Sequence, residues 1–146
     1  MNWHIKSFDE LTTRELFAIL KTRIDVFVVE QNCAYPDADD YDLTALHLFA
    51  EENGVIAAYC RLIPDGGRLK IGRVLVAGHA RSLGLGREVV AYALAYADAH
   101  FPGKDVFAQA QLYLQNFYAS FGFAPISGEY LEDGIPHIDM LRSAKS

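Results

Sequence analysis

The 146-residue sequence has little of what marks metal sites, disulfide frameworks or membrane spans. It has two cysteines, Cys33 and Cys60, and five histidines, and these form no cluster with metal-ligand spacing. We therefore expect two buried free thiols and no metal. No apolar run reaches the length of a membrane-spanning helix, and the first eight residues do not resemble a signal peptide. These absences favour a cytoplasmic protein with no membrane partner.

Basic residues are outnumbered, because 13 Lys and Arg stand against 19 Asp and Glu, a formal net charge of −6. Such a chain lacks the positive footprint of a nucleic-acid-binding protein. Hydrophobic residues make up 51% of the chain, with nine Phe and eight Tyr, which is enough for one core. No segment has the length and composition of a linker, so we predict a single domain over residues 1–146.

The order of predicted elements is that of an α/β chain. A first strand covers residues 2–8, and a capping box at 12–15 opens a helix whose predicted apolar stripe is Leu16, Leu20, Ile24 and Phe27. Three strands follow as a meander, separated by turns at 53–54 and 64–67, and the third ends near 76. The remaining elements are a helix to His100, a strand at 106–110, a helix from Tyr113 to Gly122, and a hairpin of 124–131 with 136–142.

A glycine-containing turn lies between the strand that ends near Val76 and the helix that follows. It reads R-S-L-G-L-G over residues 81–86. Backbone N–H groups at a helix N-terminus, together with the helix dipole, can hold an anion. Glycines at 84 and 86 would let a diphosphate approach those amides, and Arg81 adds a cation. A tight turn that serves only packing is the alternative, and the spacing matches neither a dinucleotide fingerprint nor a P-loop.

A second motif follows about thirty residues later, where residues 117–123 read F-Y-A-S-F-G-F. The two motifs, in this order and at this separation, resemble the GCN5-related N-acetyltransferase (GNAT) superfamily. Further segments resemble its ElaA-type bacterial branch: residues 26–33, 71–74, 109–111, 115–118 and 132–138. The resemblance implies one V-shaped, mixed but mostly antiparallel sheet flanked by helices, which splays between its fourth and fifth strands.

The resemblance also implies how a CoA thioester would bind. Backbone groups of Val74, Leu75 and Val76 would pair with the pantetheine arm, and Gln111 stands where many members carry a cofactor-contacting Asn, with Asn116 as the alternative. Tyr118 would lie near the sulfur, as general acid to the leaving thiolate. The diphosphate would be held by Arg81, Ser82, Leu83, Gly84, Leu85 and Gly86.

The activity that the resemblance implies is transfer of an acetyl group from acetyl-CoA to a primary amine, by direct attack in a ternary complex. Some members use a Glu on the fourth strand as general base, and this strand has none. His137, with Asp139 two residues on, and Glu30 are the candidate bases, and a water chain would also serve. A His satisfied by local hydrogen bonds and a Glu paired with an arginine are the alternatives.

The acceptor is expected to be a small molecule or a peptide. The acidic residues at 37–42 would receive a cationic amine or form a solvated loop. Two other functions stay open: a non-catalytic acyl-CoA sensor, and an enzyme like the acyl-homoserine-lactone synthases. The oligomeric state is also open, a homodimer included.

Overall fold

A computed structural model describes residues 1–145 and shows one mixed, mostly antiparallel sheet flanked by helices. The strands follow the order β1-β2-β3-β4-β5-β8-β6, and β7 also pairs with β8. Their bounds are β1 Asn2–Ser7, β2 Leu46–Glu52, β3 Val55–Asp65, β4 Arg68–Val76, β5 Asp105–Gln111, β6 Ala124–Pro125, β7 Tyr130–Glu132 and β8 Ile135–Arg142. The helices are α1 Thr13–Arg23, α2 Leu85–His100 and α3 Gln115–Ala119, and a π-helical segment, Ile24–Glu30, continues α1. None of the helices within residues 1–145 is long and apolar enough to cross a membrane.

The sheet splits between β4 and β5, as the resemblance implied. These two strands are parallel and pair from Arg68 with Asp105 as far as Ile71 with Ala108. Beyond Ile71 the register ends, although β4 continues to Val76 and β5 to Gln111. The C-terminal ends of the two strands therefore diverge, and an open sheet edge faces each side of the gap.

Helix α2 packs on one face of the sheet through the apolar positions that the sequence predicted. Val89, Val90, Ala93, Leu94 and Ala97 are all buried. On the other face, Ile19 of α1 and Val26 of the π-helical segment pack against strand residues in a second core cluster, whose other members are Phe49, Ile56, Tyr59 and Leu75. The strands between α1 and α2 are thus covered on both faces.

The local signals at the start of α1 are confirmed, but the predicted apolar stripe is confirmed only in part: Leu16, Leu20 and Phe27 are partly buried, and Ile24 is exposed. The amide of Glu15 donates to Thr12 Oγ1 at 3.0 Å, and the Thr12 amide donates back to Glu15 Oε1 at 2.9 Å. The fully buried positions are Ile19 and Arg23, whereas the predicted Ile24 is 46% exposed. The buried positions differ from the predicted stripe for two reasons. Arg23 is buried because of its ion pairs, and the spacing of apolar residues does not predict a buried arginine. The chain also continues as a π-helix, which has more residues per turn than an α-helix.

Two hairpin turns form where the sequence places them. Asn53 and Gly54 have φ of +53° and +81°, and Asp133 and Gly134 have φ of +52° and +75°, as two-residue hairpin loops require. The predicted strand 124–131 is interrupted, because only β6 and β7 pair with β8. In the interruption the Ser127 hydroxyl, rather than a backbone carbonyl, accepts from the Asp139 amide at 2.9 Å.

Candidate active site

The split between β4 and β5 opens into a cleft of about 750 Å³. One wall is β4 from Lys70 to Val76, and the other is the end of β5 from Gln109 to Gln111. Tyr118 lines it from α3. The π-helical segment, the chain from Gln31 to Tyr41, and the β7–β8 turn also contribute lining residues.

The N-terminus of α2 follows Arg81, which lines the mouth of this cleft. Its N-cap is Gly84, with φ of +74°, and no side chain caps the helix. Ser82 also has a left-handed backbone, with φ of +72°, so the turn that precedes the helix is tightly folded. A Cβ on Gly86 would meet only Val76 Cγ2, at an ordinary 3.7 Å, so the first turn of α2 is not tightly packed at this position. The amides of this first turn lack intrahelical acceptors and suit a phosphate.

The cation of this turn is already paired with another predicted site residue. Arg81 Nη2 lies 2.5 Å from Glu30 Oε2, and Arg81 Nε donates to the Val76 carbonyl at 3.3 Å. Within the turn, Ser82 and Leu83 are exposed and Leu85 is buried. Glu30 is therefore the arginine-paired glutamate of the alternative interpretation, and it joins the π-helical segment to the turn at residues 81–86, which we call the cradle.

Strand β4 bulges at the point where the cleft opens. Arg61 pairs with Gly72 and Tyr59 pairs with Leu75, so two β4 residues oppose the single Cys60. Arg73, one of the two, has φ of +50°. Below the bulge Leu75 is 4% exposed and packs into the α1 cluster.

Val74 and Val76 are partly exposed and line the cleft beside Leu75. No strand pairs with β4 on this side beyond Ile71, so the 74–76 edge has no strand partner, and the Val76 carbonyl is bound there only by Arg81 Nε. An extended, amide-containing chain could add to such an edge as a further strand would.

Tyr118 lies in the cleft as a buried phenol. It is 6% exposed and contacts the rings of Phe117 and Phe123 edge-on, with centroids 5.4 and 5.5 Å apart. Gly122, with φ of +92°, ends α3, and Phe123 N donates to Tyr118 O at 3.3 Å, so the helix end places Phe123 against the phenol. The hydroxyl forms no hydrogen bond with any residue of the described chain. Burial raises the pKa of Tyr118, so the phenol is protonated at neutral pH.

Of the two predicted amide side chains, only one lines the cleft. Gln111 ends β5, and its Nε2 donates to Gln31 Oε1 at 3.3 Å. Asn116 is exposed and is not among the residues that line the cleft. The Gln31–Gln111 hydrogen bond links the end of the π-helical segment to the β5 side of the split.

His137 also lines the cleft, but its carboxylate neighbour is not the one that the sequence suggested. It is 9% exposed and pairs in register with Gln111. Its Nδ1 lies 2.7 Å from the Ile135 carbonyl oxygen, and its Nε2 lies 3.8 Å from Glu132 Oε2. Asp139 instead accepts a hydrogen bond from the Tyr130 hydroxyl. The candidate dyad is therefore His137 with Glu132.

The acidic segment 37–42 is neither a solvated loop nor a set of free carboxylates, because arginines hold Asp37, Asp39 and Asp42 and only its fourth carboxylate, Asp40, is exposed. Arg23, fully buried, donates to Asp37 Oδ2 at 2.8 Å and to Asp42 Oδ1 at 2.7 Å. Arg61 binds both oxygens of Asp39, at 2.6 and 2.8 Å, and also Asp42 Oδ1 at 2.8 Å. Burial of Asp42 acts to raise its pKa, but the two guanidinium groups outweigh this effect and lower the pKa.

Arg73, from the β4 bulge, completes this network at the cleft wall. Its Nη2 donates to the Asp37 carbonyl at 3.1 Å and lies 3.5 Å from Asp39 Oδ2. Its Nε lies 3.0 Å from Asp37 Oδ1 but makes no aligned hydrogen bond. No sequence signal indicated these pairings, because the partners lie 14 to 36 residues apart.

Both cysteines are free, as predicted, but they differ in burial. Cys60 is fully buried, and burial raises the pKa of its thiol to about 12. Cys33 is only partly buried and lines the cleft, with Sγ 3.8 Å from the Asp133 carbonyl oxygen. Among residues 1–145, no group of three or more His, Cys, Asp or Glu is placed to hold a metal ion.

Comparison with known proteins gives consistent matches over nearly the whole chain. The family described as Acetyltransferase (GNAT) domain matches residues 21–143. Protein ElaA of Escherichia coli (strain K12) is 42% identical over 147 residues, which is 97% of this chain and 96% of that protein. The crystal structure of Escherichia coli ElaA superposes with a TM-score of 0.94 at 41% identity, over 98% of this chain and 100% of that one.

Two further structures are similar. An acyl-CoA N-acyltransferase from Pseudomonas aeruginosa superposes with a TM-score of 0.94 at 40% identity, over 98% of this chain and 100% of that one. A CoA-dependent acyl-homoserine lactone synthase has a TM-score of 0.83 at 18% identity, over 98% and 83%. This last likeness concerns the fold alone.

Proposed function

Because this chain belongs to the GNAT acetyltransferase family, we propose that it transfers an acetyl group from acetyl-CoA to a primary amine by direct attack in a ternary complex. One observation carries the proposal. A single cleft has the uncapped N-terminus of α2 at its mouth, and it contains an unpaired β4 edge and the Tyr118 hydroxyl. These are the three parts needed to hold a diphosphate, an amide-containing arm and a leaving sulfur.

Two parts of the β4–α2 unit would bind the CoA moiety: the turn before α2 and the open edge of β4. Amides of the 82–86 turn would donate hydrogen bonds to the diphosphate, since Gly84 and Gly86 leave them accessible. The open edge of Val74 and Val76 would hydrogen-bond to the pantetheine amides. Of the two predicted amide side chains, Gln111, on the opposite side of the split, lines the cleft and could contact the cofactor, and Asn116 has no part in this arrangement.

In the proposed reaction, the amine nitrogen attacks the thioester carbonyl carbon, the N–C bond forms and the C–S bond breaks. Tyr118 donates its proton to the departing sulfur, and the proton lost by the amine passes to a base and returns from it to the phenolate through solvent. The raised pKa of Tyr118 keeps the phenol protonated at neutral pH, so its proton is available when the C–S bond breaks.

His137 is the better placed of the two candidate bases. It lines the cleft opposite Gln111, near the exposed carboxylate of Glu132, and this carboxylate would stabilise an imidazolium formed when the amine is deprotonated. Glu30 carries the negative charge of an ion pair with Arg81, so accepting a proton would break that pair. We therefore assign Glu30 to the cradle.

The test is a screen of primary amines with acetyl-CoA, in which release of the CoA thiol is followed and each product is identified by mass. The screen should include alkylamines, polyamines, free amino acids and short peptides. Acetylation of at least one of these by wild-type protein, with loss of rate in the Tyr118→Phe variant, is the expected result.

Two other functions predict different results in the same screen. A sensor would bind acetyl-CoA and release no thiol with any amine. An enzyme like the acyl-homoserine lactone synthases would acylate S-adenosylmethionine and release a lactone, which mass analysis identifies. Either result would replace the proposal.

A further inference from the structure

The cleft has a second half, away from the α2 cradle, whose charges bear on the acceptor. Arg61, Arg73 and Asp39 line it, and each belongs to the arginine–aspartate network described above. That network contains three arginines (23, 61 and 73) and three aspartates (37, 39 and 42) and is therefore neutral as a whole. The charged groups that can still pair with a ligand are therefore those outside the network.

Lys70 is a cation of the cleft that does not belong to this network. It lies on β4 and lines the cleft, and its Nζ donates to the neutral amide oxygen of Gln109 at 2.6 Å. Its ammonium forms no ion pair with any residue of the described chain. Burial lowers the pKa of Lys70, and the negative charge of Glu132 acts against that lowering. The lysine is thus a partly buried cation with only an uncharged direct partner, and an anionic group would be a favourable partner for it.

The opposite wall carries the free carboxylates. Glu132 is 49% exposed, with Oε2 3.8 Å from His137 Nε2, and the neighbouring Asp133 is also exposed and lines the cleft. A ligand in this half would therefore meet one cation on β4 and two carboxylates on the β7–β8 turn.

We propose that the acyl acceptor is a small amino acid-like molecule, whose amine lies toward Glu132 and His137 and whose carboxylate lies against Lys70. This inference rests on the proposed function, because it concerns the second substrate of the same transfer. It places a positive group of the acceptor beside the free carboxylates and a negative group beside the free cation.

The order of residues along β5 sets the direction of the acceptor. Lys70 contacts Gln109, and His137 pairs with Gln111, two residues closer to α3 and Tyr118. Two strand residues span about 7 Å, which an amino acid and a lysine side chain can bridge together. The amine of the acceptor would thus lie on the side of Tyr118, where the thioester must be. The carboxylate of the acceptor would lie on the side away from Tyr118.

The same charges disfavour other amines. A polyamine would bring a second cation toward Lys70, with no free carboxylate on that wall to receive it. A simple alkylamine would leave the Lys70 ammonium with no anionic partner. An amino acid carries both charges, so its amine can pair with the carboxylates of the β7–β8 turn and its carboxylate can pair with Lys70.

The experiment compares L-amino acids with their carboxamides, which keep the side chain and lose the negative charge. Acetylation kinetics would be measured with each pair for the wild type, Lys70→Met and Lys70→Arg. We expect the wild type to favour the amino acid in kcat/KM by about tenfold or more, the range for one hydrogen bond to a charged group. Lys70→Met should lose this preference mainly through a raised KM for the amino acid, and Lys70→Arg should retain most of it.

The preference is kcat/KM for an amino acid divided by kcat/KM for its carboxamide, and it is compared between the variants. The two acceptors differ in the pKa of their amine, but this difference is the same for every variant and cancels in the comparison. Lys21→Met is the matched control, because Lys21 is exposed on α1 and does not line the cleft. Acetyl-CoA affinity, measured by calorimetry, should be unchanged in all three variants, which shows that they are folded.

An unchanged preference in Lys70→Met, or no preference in the wild type, would overturn the inference. If no amino acid is acetylated, the inference is also wrong. In that case the proposed function survives where another amine of the screen is acetylated, and fails where none is.

Discussion

The guanidinium of Arg81 lies 2.5 Å from the carboxylate of Glu30, at the mouth of the cleft. The side chains are 49% and 40% exposed, so the pair is accessible to solvent and to ligands. The cation proposed to meet a diphosphate is therefore neutralised by the protein itself. Binding of CoA requires either that Arg81 exchanges one anion for another or that the diphosphate relies on backbone amides beside an existing ion pair.

Replacing Glu30 by glutamine should therefore tighten CoA binding. The variant removes a negative charge from the mouth and frees Arg81, and we expect a gain of about two- to fivefold in affinity, the scale of an exposed ion pair. Calorimetric titration with CoA measures it. Glu52→Gln, an exposed glutamate at the end of β2, is the control and should bind as the wild type does. Weaker binding by Glu30→Gln would show that the pair supports the cradle instead of competing for it.

A side chain at Gly86 should obstruct the cradle without unfolding the protein. A Cβ there has no close contact, and the nearest atom is 3.7 Å away, so valine fits the fold but occupies the space before the α2 amides. We expect Gly86→Val to weaken CoA binding about tenfold or more, since hydrogen bonds to a charged group are lost. Gly67→Val, at a turn with no atoms near its added Cβ, is the control. Unchanged affinity in a folded Gly86→Val protein would remove the diphosphate from this turn.

Removing the Tyr118 hydroxyl should slow the chemical step and leave binding nearly unchanged. The phenylalanine ring keeps the contacts with Phe117 and Phe123, and no hydrogen bond within the described chain is lost. We expect kcat and kcat/KM to fall together by about 10²- to 10⁴-fold, while the Kd of acetyl-CoA stays within a few-fold. Tyr92→Phe, in which a partly exposed tyrosine stacked on Trp3 is changed, should keep the wild-type rate. An unchanged kcat with chemistry rate-limiting would make Tyr118 a packing residue only.

The pH dependence of the rate follows from the raised pKa of Tyr118. The acceptor amine must be neutral to attack, so kcat/KM should rise as the pH approaches the pKa of the amine. Because burial raises the pKa of Tyr118 above its ordinary value near 10, the acid stays protonated across that range. The profile should show no loss of rate from this group below about pH 10. A decline that begins near pH 8 in the wild type and is absent in Tyr118→Phe would contradict the assignment.

The arginine–aspartate network should make a large contribution to stability through Arg23. Arg23→Met leaves buried Asp37 with only Arg73 and buried Asp42 with only Arg61, and removal of one member of a buried ion pair costs about 3–5 kcal/mol. Urea unfolding of this variant measures the loss. Lys21→Met, on an exposed position of the same helix, should change the free energy of unfolding by less than about 0.5 kcal/mol. A similar small change for Arg23→Met would show that the network is not a major stabilising element.

Much of the fold was predictable because its signals are local. The capping box at Thr12, the Asn53-Gly54 turn and the glycine end of α3 at Gly122 each depend on backbone geometry that a few neighbouring residues impose. The buried face of α2 followed from apolar spacing alone. The stripe of α1 followed only in part, since a buried arginine interrupts it and the helix widens after Arg23.

The sequence by itself thus determined the order of elements, the glycine turn before α2 and the position of Tyr118 on a short helix that ends at Gly122, because short-range sterics and periodicity control all three. Only the tertiary structure decided which charges are free. Arg23 forms ion pairs with Asp37 and Asp42, and Arg81 forms one with Glu30. Glu132, rather than Asp139, lies beside His137. Ion pairs of this kind join residues far apart in the chain, so their partners are fixed by the packing of the sheet and loops rather than by any local pattern.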